Sequence, residues 1–408
     1  MKRLMILTIA LWWMCTAVWC QVSVVSGHVV SATTGEHIKG ASVRASGTGI
    51  AVVANDDGFF SLKTSTKFQQ LEVSHLGYFV ERVQMEGRDA SHLVIALRPT
   101  SIQLQELLVT VSNARELVDM AIERIPQNYS RQPQLYHCFY RESAMKRQHY
   151  ISVAEGIVDM YKTGYISGTG RDRVAILKGR RLLSAKTSDT LSVKVLGGPV
   201  GAVSLDVVKN PDVLLNPKEL SYYEMQMETP VSIDDRRQYV VSLEPRVVTD
   251  YALNHCKLYI DQETLAFTRV IISLDMANQE KATRAMLVKK PAGVRFRPKE
   301  MSLLVDYRRD DDGMMHLSYQ RMTFRFNCDW RRKLLTTSFT AVCELAVTSK
   351  ATADDDLRSI SGRNSFDSRD AFFDKVEYFR DPKFWLDYNI IEPTESLDKA
   401  VERLLKKR

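Results

Sequence analysis

The stretch NDDGFFSLKTSTKFQQLEVSHLGY, Asn55–Tyr78, alternates turn residues with short apolar runs and decides how the first part of the chain folds. Gly58 follows two aspartates, and a glycine in that position supplies the positive φ that a tight turn requires. The sequence therefore predicts a hairpin turn at Asp57 and Gly58, between GIAVVA and FFSLK. Asp56 and Asp57 are interpreted as turn residues and not as metal ligands. His75 is interpreted as a packed or edge residue of a strand and not as a catalytic base.

The chain on both sides of this stretch has the same character. Between Val22 and Leu97, turns separate the short runs VSVVSGHVV, ASVRA, GIAVVA, FFSLK, LEVSHL, YFVERVQM and LVIAL. Seven or eight strands within about eighty residues predict an antiparallel β-sandwich over residues 21–98.

Particular turn glycines and inward apolar residues of this region also carry a family resemblance. They are Gly27, Val29, Gly40, Ala41, Val43, Asp57, Gly58, Phe60, Leu71, Val73, Gly77 and Tyr78. On these positions the region resembles the carboxypeptidase-regulatory-like domain, an Ig-like or transthyretin-like β-sandwich common in cell-envelope proteins of the Bacteroidota type. The resemblance implies an accessory domain without catalytic residues, and therefore no carboxypeptidase activity.

The first twenty residues predict the compartment. Two basic residues precede the apolar run LMILTIALWWMCTAVW, which is short for a membrane-spanning helix and typical of a secretory signal peptide. Residues 1–20 are therefore predicted to be removed, leaving Gln21 as the amino terminus of an exported protein in the periplasm or associated with the outer membrane. The alternative is lipidation of Cys20, although Trp19 stands where lipidation favours a small residue. The mass of the mature amino-terminal peptide distinguishes the two, because lipidation adds a diacylglyceryl group to Cys20.

Composition limits the classes of partner. Of 408 residues, 388 remain after the first 20, enough for two or three domains. The net charge of +7 becomes +5 without Lys2 and Arg3, and basic residues are interleaved with acidic ones except in the final LLKKR. This argues against nucleic-acid binding. No apolar run after the signal peptide has the length of a transmembrane helix.

The hydrophobic period changes after the sandwich. Within residues 99–130, Asn113 stands at the start of a helical repeat, which predicts a linking helix. The repeating apolar positions are Ala114, Leu117, Val118, Ala121, Ile122 and Ile125.

Strand patterns return in residues 131–350. About ten strands predict a large antiparallel curved sheet or incomplete β-barrel. Within it, Leu196–Leu220 is broken by glycines and prolines and is interpreted as a lid or plug across the sheet. Residues 351–408 are predicted to be a polar segment followed by a C-terminal docking helix. The fold class is therefore mainly β.

Two segments of the second half carry further resemblances. HCKLYIDQETLAFTRVIISLD is similar to a YxGxLYID-then-strand hairpin of envelope proteins whose second domain has no assigned function, with His255 or Cys256 in place of the motif glycine. It also resembles the half-barrel of lipoprotein carriers. FWLDYNIIEPTESLDKAVERL resembles the ending of the same envelope family.

Four cysteines follow the signal peptide: Cys138, Cys256, Cys328 and Cys343. Their wide, irregular spacing argues against a zinc site. In an exported protein they could form up to two disulfides, with three possible connectivities. Alternatively, they are small buried apolar residues on strands.

Motifs for chemistry are absent from the sequence. It has no HExxH, HxxE, GxSxG, Walker or CxxC pattern, so we expect no catalytic, cofactor-binding or metal-binding residues and no cofactor. The acidic run Asp310–Gly313 is interpreted as a solvated hairpin turn and not as a calcium site. Glu142 and Glu155 lie on adjacent predicted strands and could pair as acid and base.

Two functional hypotheses follow. The favoured one is a non-enzymatic cell-envelope protein that binds a hydrophobic ligand, a glycan or a partner protein; the alternative is an envelope hydrolase that uses carboxylates of the second domain. The concave face of the large sheet separates them. An apolar cavity there favours binding, and convergent carboxylates favour hydrolysis.

Overall fold

The computed structural model describes residues 22–86, 90–100, 113–184, 197–288, 293–330, 336–351, 360, 365–378, 384–386 and 388–406. The predicted signal peptide and the two alternatives at Cys20 lie outside these residues. The fold is mainly β, as the sequence predicts: a sandwich, a short helical connection, a large curved sheet that does not close, and a C-terminal helix.

The sandwich has seven strands in two sheets. They are β1 (Ser23–Ser31), β2 (Ser42–Ala45), β3 (Ala51–Val53), β4 (Phe59–Thr64), β5 (Gln70–Ser74), β6 (Glu81–Gln84) and β7 (Leu93–Leu97). One sheet has the order β4-β1-β7 and the other β3-β2-β5-β6. Alternating apolar residues such as Val29, Val43, Phe60 and Leu71 are fully buried in the core that they share.

The turn at Asn55–Gly58 corrects the sequence interpretation. Gly58 has the expected positive φ of 70°, but β3 and β4 belong to different sheets, so the turn crosses between sheets and is not a hairpin. The reason is local: Asn55 Oδ1 accepts from the backbone N–H groups of Asp57 and Phe59, both at 2.9 Å. An Asx turn of this kind closes without pairing of the flanking strands. The sandwich also differs from the antiparallel expectation at β1 and β7, which pair in parallel.

The large sheet contains ten antiparallel strands and one short parallel edge strand. They are β8 (Gln134–Lys146), β9 (His149–Lys162), β10 (Arg173–Leu183), β11 (Tyr223–Ile233), β12 (Arg236–Pro245), β13 (Asn254–Asp261), β14 (Phe267–Leu274), β15 (Val294–Arg309), β16 (Met315–Trp330), β17 (Thr337–Lys350) and β18 (Glu377–Tyr378). The order is β11-β12-β13-β14-β15-β16-β17-β8-β9-β10-β18, in which β18 pairs with β10 in parallel.

Within the described residues, seven α-helices accompany the sheets: α1 (Ala114–Glu123), α2 (Ile125–Asn128), α3 (Gly198–Ser204), α4 (Pro217–Leu220), α5 (Gln279–Met286), α6 (Phe372–Lys375) and α7 (Glu395–Lys406). The predicted linking helix is α1, with the Asn113 side chain accepting from Arg115 N–H at 2.9 Å. None of the described helices has the length and apolar character needed to cross a membrane.

One face of the large sheet, the inner face, is covered by the chain itself. The covering parts are α1 and residues 197–220, here called the plug, as the sequence predicts for this segment. Both belong to one apolar core with the sheet. The large apolar side chains that the plug buries are those of Val203, Val207, Val208, Leu214, Leu215 and Leu220.

Two buried ion pairs fasten the plug to the sheet. Lys162 on β9 bonds to Asp206 of the plug, and Lys209 of the plug lies 2.6 Å from Asp172. Tyr307 adds a hydroxyl donor to Asp206 at 2.8 Å. Lys162, Asp206 and Lys209 are each 1% exposed or less, so each charge depends on its partner for compensation.

Loss of one partner should therefore loosen the plug. Asp206→Asn leaves Lys162 buried without a counter-charge, and we expect the free energy of unfolding to fall by about 3–5 kcal/mol in urea titrations. The double variant Lys162→Met, Asp206→Leu removes both charges and should recover most of the loss. Wild-type stability in Asp206→Asn would mean that the pair does not hold the plug.

Candidate functional site

The outer face, opposite the plug, carries an alternating row of charges. The strand register aligns one charged residue from each of six adjacent strands: Arg321, Glu344, Arg141, Glu155, Arg180 and Glu377. Arg321 lies 3.3 Å from Glu344, and Glu155 is bound by Arg141 at 2.8 Å and Arg180 at 3.0 Å. We call this row the charge ladder.

The middle of the ladder is buried. Arg141 and Glu155 are each 4% exposed. Burial alone would raise the pKa of Glu155, but Arg141 and Arg180 outweigh it and lower the pKa. Burial acts to lower the pKa of Arg141, and Glu155 and Glu344 together raise it. Arg141 and Glu155 therefore remain charged under their cover.

The turn at Asn55–Gly58 provides part of that cover. Asp56 binds Arg321 of the ladder through two hydrogen bonds of 2.8 and 3.0 Å. Asp57 accepts from the backbone N–H of Glu395 at 2.8 Å and so caps α7. These aspartates are thus turn residues that also join the sandwich to the rest of the molecule.

The rest of the cover is a segment of the C-terminal region, residues 384–386 and 388–395, here called the clamp. Asn389 accepts from Lys63 N–H at 2.7 Å and donates to Lys63 C=O at 2.9 Å, which covers the exposed edge of β4. On the sheet side, Trp385 Nε1 donates to Glu155 at 3.2 Å, and Arg141 donates to Ile391 C=O at 2.6 Å. The clamp therefore binds both the sandwich and the ladder.

Between the sandwich and the outer face runs an open crevice. Its largest lobe has a volume of about 640 Å³, and two smaller lobes of about 250 and 60 Å³ share lining residues along it. The sandwich contributes Gly40, Ser42, Arg44, His75 and Tyr78, and the sheet contributes Arg269, Leu304, Asp306, Thr323 and Thr340.

Most charges of the largest lobe are paired with each other. Arg269 binds Asp306 through hydrogen bonds of 2.5 and 2.8 Å. The more exposed Arg325 lies 3.3 Å from Glu300. The lobe is therefore polar and carries both signs of charge.

His75, which the sequence suggested as a packed or edge residue, lines this crevice. Its ring meets Tyr78 edge-on, with 5.7 Å between ring centroids. Burial lowers the pKa of His75, and the nearby Arg269 lowers it further. His75 is consequently a neutral polar group in the crevice at neutral pH.

The proposed acid–base pair of Glu142 and Glu155 is wrong. Register places Glu142 opposite Ala154 and Glu155 opposite Arg141, so the two carboxylates point to opposite faces of the sheet. Glu142 lies on the inner face and accepts from the Tyr140 hydroxyl at 2.8 Å. Burial raises the pKa of Glu142 to about 8; the hydrogen bond from Tyr140 opposes this rise and the nearby Asp374 adds to it.

The four cysteines are free and buried on separate strands. Cys138 lies on β8, Cys256 on β13, Cys328 on β16 and Cys343 on β17. This arrangement corresponds to the second of the two alternatives, small apolar residues of the core. Burial raises the pKa of the Cys138 and Cys256 thiols well above their usual range.

Asp310–Gly313 forms the predicted hairpin turn, between β15 and β16. Gly313 has a φ of 82°, and its N–H donates to Asp310 C=O at 2.9 Å. Lys350 binds Asp310 at 3.1 Å and Asp312 at 3.2 Å. Over the part of the chain that the structure describes, no three His, Cys, Asp or Glu side chains are grouped to hold a metal ion.

Comparison with known proteins identifies the first module. Residues 25–109 match the CarboxypepD_reg-like domain family. The match covers the sandwich and agrees with the resemblance on its turn glycines. No curated protein matches the chain.

Solved structures match the large sheet region at low similarity. A DUF1329 family protein from Desulfovibrio piger has 11% identity and a TM-score of 0.24, covering 60% of this chain and 97% of its own. An outer membrane lipoprotein-sorting protein domain from Vibrio parahaemolyticus has 10% identity and a TM-score of 0.26, covering 60% and 94%. A LolA superfamily protein from Nitrosomonas europaea has 14% identity and a TM-score of 0.21, covering 59% and 97%.

The sequence did not identify the ladder or the crevice. A signal was present, because Arg141 in LYHCFYRES and Glu155 in YISVAEGIVDMYKT interrupt otherwise apolar strands. Arg141 and Glu155 pair with each other on consecutive strands, but Arg321 and Glu344 stand far away in the chain, so only the register reveals the whole row.

Because Glu142 and Glu155 lie on opposite faces of the sheet, their contributions to the stability of the fold depend on pH in opposite ways. The pKa of Glu142 rises from 4.5 to about 8 on folding, so its contribution to stability is complete below pH 4.5 and is lost as pH rises through about 8. Glu155 has a lowered pKa, so its contribution is present above pH 4.5 and is lost as pH falls through the folded-state value.

Urea titrations at several pH values should detect this difference. In the wild type, Glu142 should lower the free energy of unfolding by roughly 5 kcal/mol between pH 4.5 and 8, because a proton held only by the folded state contributes about 1.4 kcal/mol for each unit of pH. This decrease should be absent from Glu142→Gln. Glu155→Gln is the matched variant and should instead destabilise the protein at neutral pH. An unchanged pH slope in Glu142→Gln would contradict the assignment.

Proposed function

We propose that this chain is a non-enzymatic binding protein that holds a polar, charged segment of a partner protein in the crevice. The observation that carries the proposal is the largest lobe, about 640 Å³, between the CarboxypepD_reg-like domain and the outer face. Its volume lies in the range of ligand-binding sites. Its lining of paired charges suits a peptide, whose own charged and backbone groups can exchange with them.

A peptide suits this lining better than a glycan or a lipid. Sugar rings favour flat aromatic faces, and Tyr78 meets His75 edge-on within the crevice. A lipid needs an apolar cavity, and the apolar inner face is covered by α1 and the plug. The hydrophobic ligand considered from the sequence is therefore not the favoured one.

The positions of the two glutamates argue against the hydrolase alternative. Glu142 and Glu155 stand on opposite faces and cannot act on one bond. Glu155 of the ladder accepts hydrogen bonds from Arg141, Arg180 and Trp385 under the clamp, which supports a structural role for it.

The setting of the protein is part of the proposal. The signal-like residues 1–20 support export to the periplasm or to the outer membrane, with lipidation at Cys20 as the alternative. We also propose the division into the sandwich at 21–98, the link at 99–130, the large sheet at 131–350 and the C-terminal region at 351–408.

Because α1 and the plug cover the apolar inner face of the sheet, we expect the wild-type protein not to bind fatty acids. Native mass spectrometry of the gently extracted protein should give the mass of the polypeptide alone, and fluorescent fatty acids should not bind to wild type. Asp206→Asn, with its loosened plug, is the matched variant and should take up more probe than wild type. A lipid bound to wild type would restore the hydrophobic-carrier function and contradict our proposal.

Photo-crosslinking in cells tests the crevice directly. Benzoylphenylalanine at Thr323, inside the crevice, should give a discrete adduct with one partner, whereas the same group at the exposed Glu263 should not. Thr340→Trp, which fills the lobe, should remove the adduct because the segment no longer fits. Identical adducts at both positions, or an adduct unaffected by Thr340→Trp, would mean that the crevice is only an internal boundary.

A further inference from the structure

Arg308 differs from the other arginines of the crevice. It lies near the end of β15 and lines the lobe of about 250 Å³ together with four further arginines. Each of those four has a hydrogen-bond or ion-pair partner: Glu72 for Arg44, Asp235 for Arg82, Asp261 for Arg236, and Gly313 C=O with Thr264 for Arg309. Among the residues that the structure describes, Arg308 has no carboxylate within 4.0 Å, and its buried Nε has no hydrogen-bond partner.

An unpaired guanidinium in this position is unfavourable. The side chain is half-buried, and its Nε has lost water without gaining a hydrogen-bond partner, which is unfavourable for a charged donor. Burial accordingly lowers the pKa of Arg308; Asp310 opposes this shift and Arg44 adds to it. The lobe therefore contains a cation whose counter-ion the described residues do not supply.

The nearby acidic groups are already engaged or point to solvent. Asp310 is held by Lys350 at 3.1 Å, and His316 Nδ1 lies 3.1 Å from it. Asp311 is 62% exposed and lies 3.6 Å from Arg44. Asp234 stands exposed in the turn between β11 and β12 and acts on Arg308 only through space. A ligand can complete the site without displacing an existing ion pair.

We propose that Arg308 binds a carboxylate group of the ligand that enters the crevice. The inference rests on the proposed function and names the chemical group that one end of the crevice recognises. A guanidinium binds a carboxylate with two parallel hydrogen bonds, which supplies both charge and direction.

A ligand with one negative charge suits the lobe better than a ligand with two. The lining already holds five acidic residues beside its five arginines, so each added negative charge meets acidic neighbours: Glu72, Asp234, Asp261, Asp310 and Asp311. A monocarboxylate adds one such charge beside Arg308, whereas a phosphate dianion adds two. Acetate is therefore the appropriate small probe, with phosphate and chloride as competitors.

Thermal unfolding of the full chain provides the test. Sodium acetate should raise the Tm of wild type above that in sodium chloride of the same ionic strength, by about 1–3 °C at saturation. Arg308→Gln should lose this rise, and its Tm in chloride should equal or exceed that of wild type because an uncompensated charge is gone. Arg297→Gln, on the same strand but outside the crevice, should keep the full rise.

Other outcomes overturn the inference. An acetate effect that is absent from wild type, or that is equal in wild type and Arg308→Gln, shows that Arg308 binds no carboxylate. A larger Arg308-dependent rise in phosphate than in acetate overturns the carboxylate class. If Arg308→Gln fails to fold, Arg308→Lys replaces it as the test variant. Lysine keeps the positive charge but cannot form two parallel hydrogen bonds with a carboxylate, so the rise in Tm with acetate should be smaller. A rise equal to that of wild type contradicts recognition by the guanidinium group.

The acetate test is independent of crosslinking at Thr323. Loss of the crosslink with the acetate effect intact would remove the partner segment and leave an anion site. The opposite result would leave a crevice ligand that Arg308 does not recognise through a carboxylate.

Discussion

The alternating arginines and glutamates of the charge ladder are the constraint on which the arrangement of the molecule depends. Apolar packing on the inner face holds the large sheet and the plug together, but it does not specify what covers the outer face. Buried charges do, because each must keep its partners. Arg321 is completed by Asp56 of the sandwich and Glu155 by Trp385 of the clamp. If the sandwich shifts, Arg321 keeps only Glu344 as a counter-charge, and if the clamp shifts, Glu155 loses its indole donor.

Local patterns in the sequence predicted the elements but not their pairing. The short strands of the sandwich, α1, the plug and α7 follow from periodicity and from glycine and proline positions, which act over a few residues. The hairpin at Asn55–Gly58 was wrong because the turn closes through the Asn55 side chain and leaves its flanking strands in different sheets. Strand pairing is non-local, and sequence spacing does not contain it.

The same reason explains what was missed in the candidate site. Glu142 and Glu155 stand thirteen positions apart on neighbouring strands, and spacing alone could not assign their faces. The strand register assigns the two side chains to opposite faces of the sheet. Glu155 faces the arginines of the charge ladder, and Glu142 faces the apolar inner side. The proposed role of Arg308 is harder to predict from the sequence, because it depends on the absence of a partner among the described residues. The absence of a counter-charge can be recognised only when every neighbouring side chain has been located.

The position of the clamp along the chain affects the order of assembly. The ribosome makes both surfaces that the clamp joins, the edge of β4 and the row of buried charges, well before it makes Trp385 and Asn389. Until those residues emerge, Glu155 lacks its indole donor and the β4 edge is uncovered. The sandwich can fold early, as domains near the amino terminus do during synthesis. The contacts that the clamp adds to its docking form only after Trp385 and Asn389 have been synthesised, so tertiary closure comes later than folding of the sandwich.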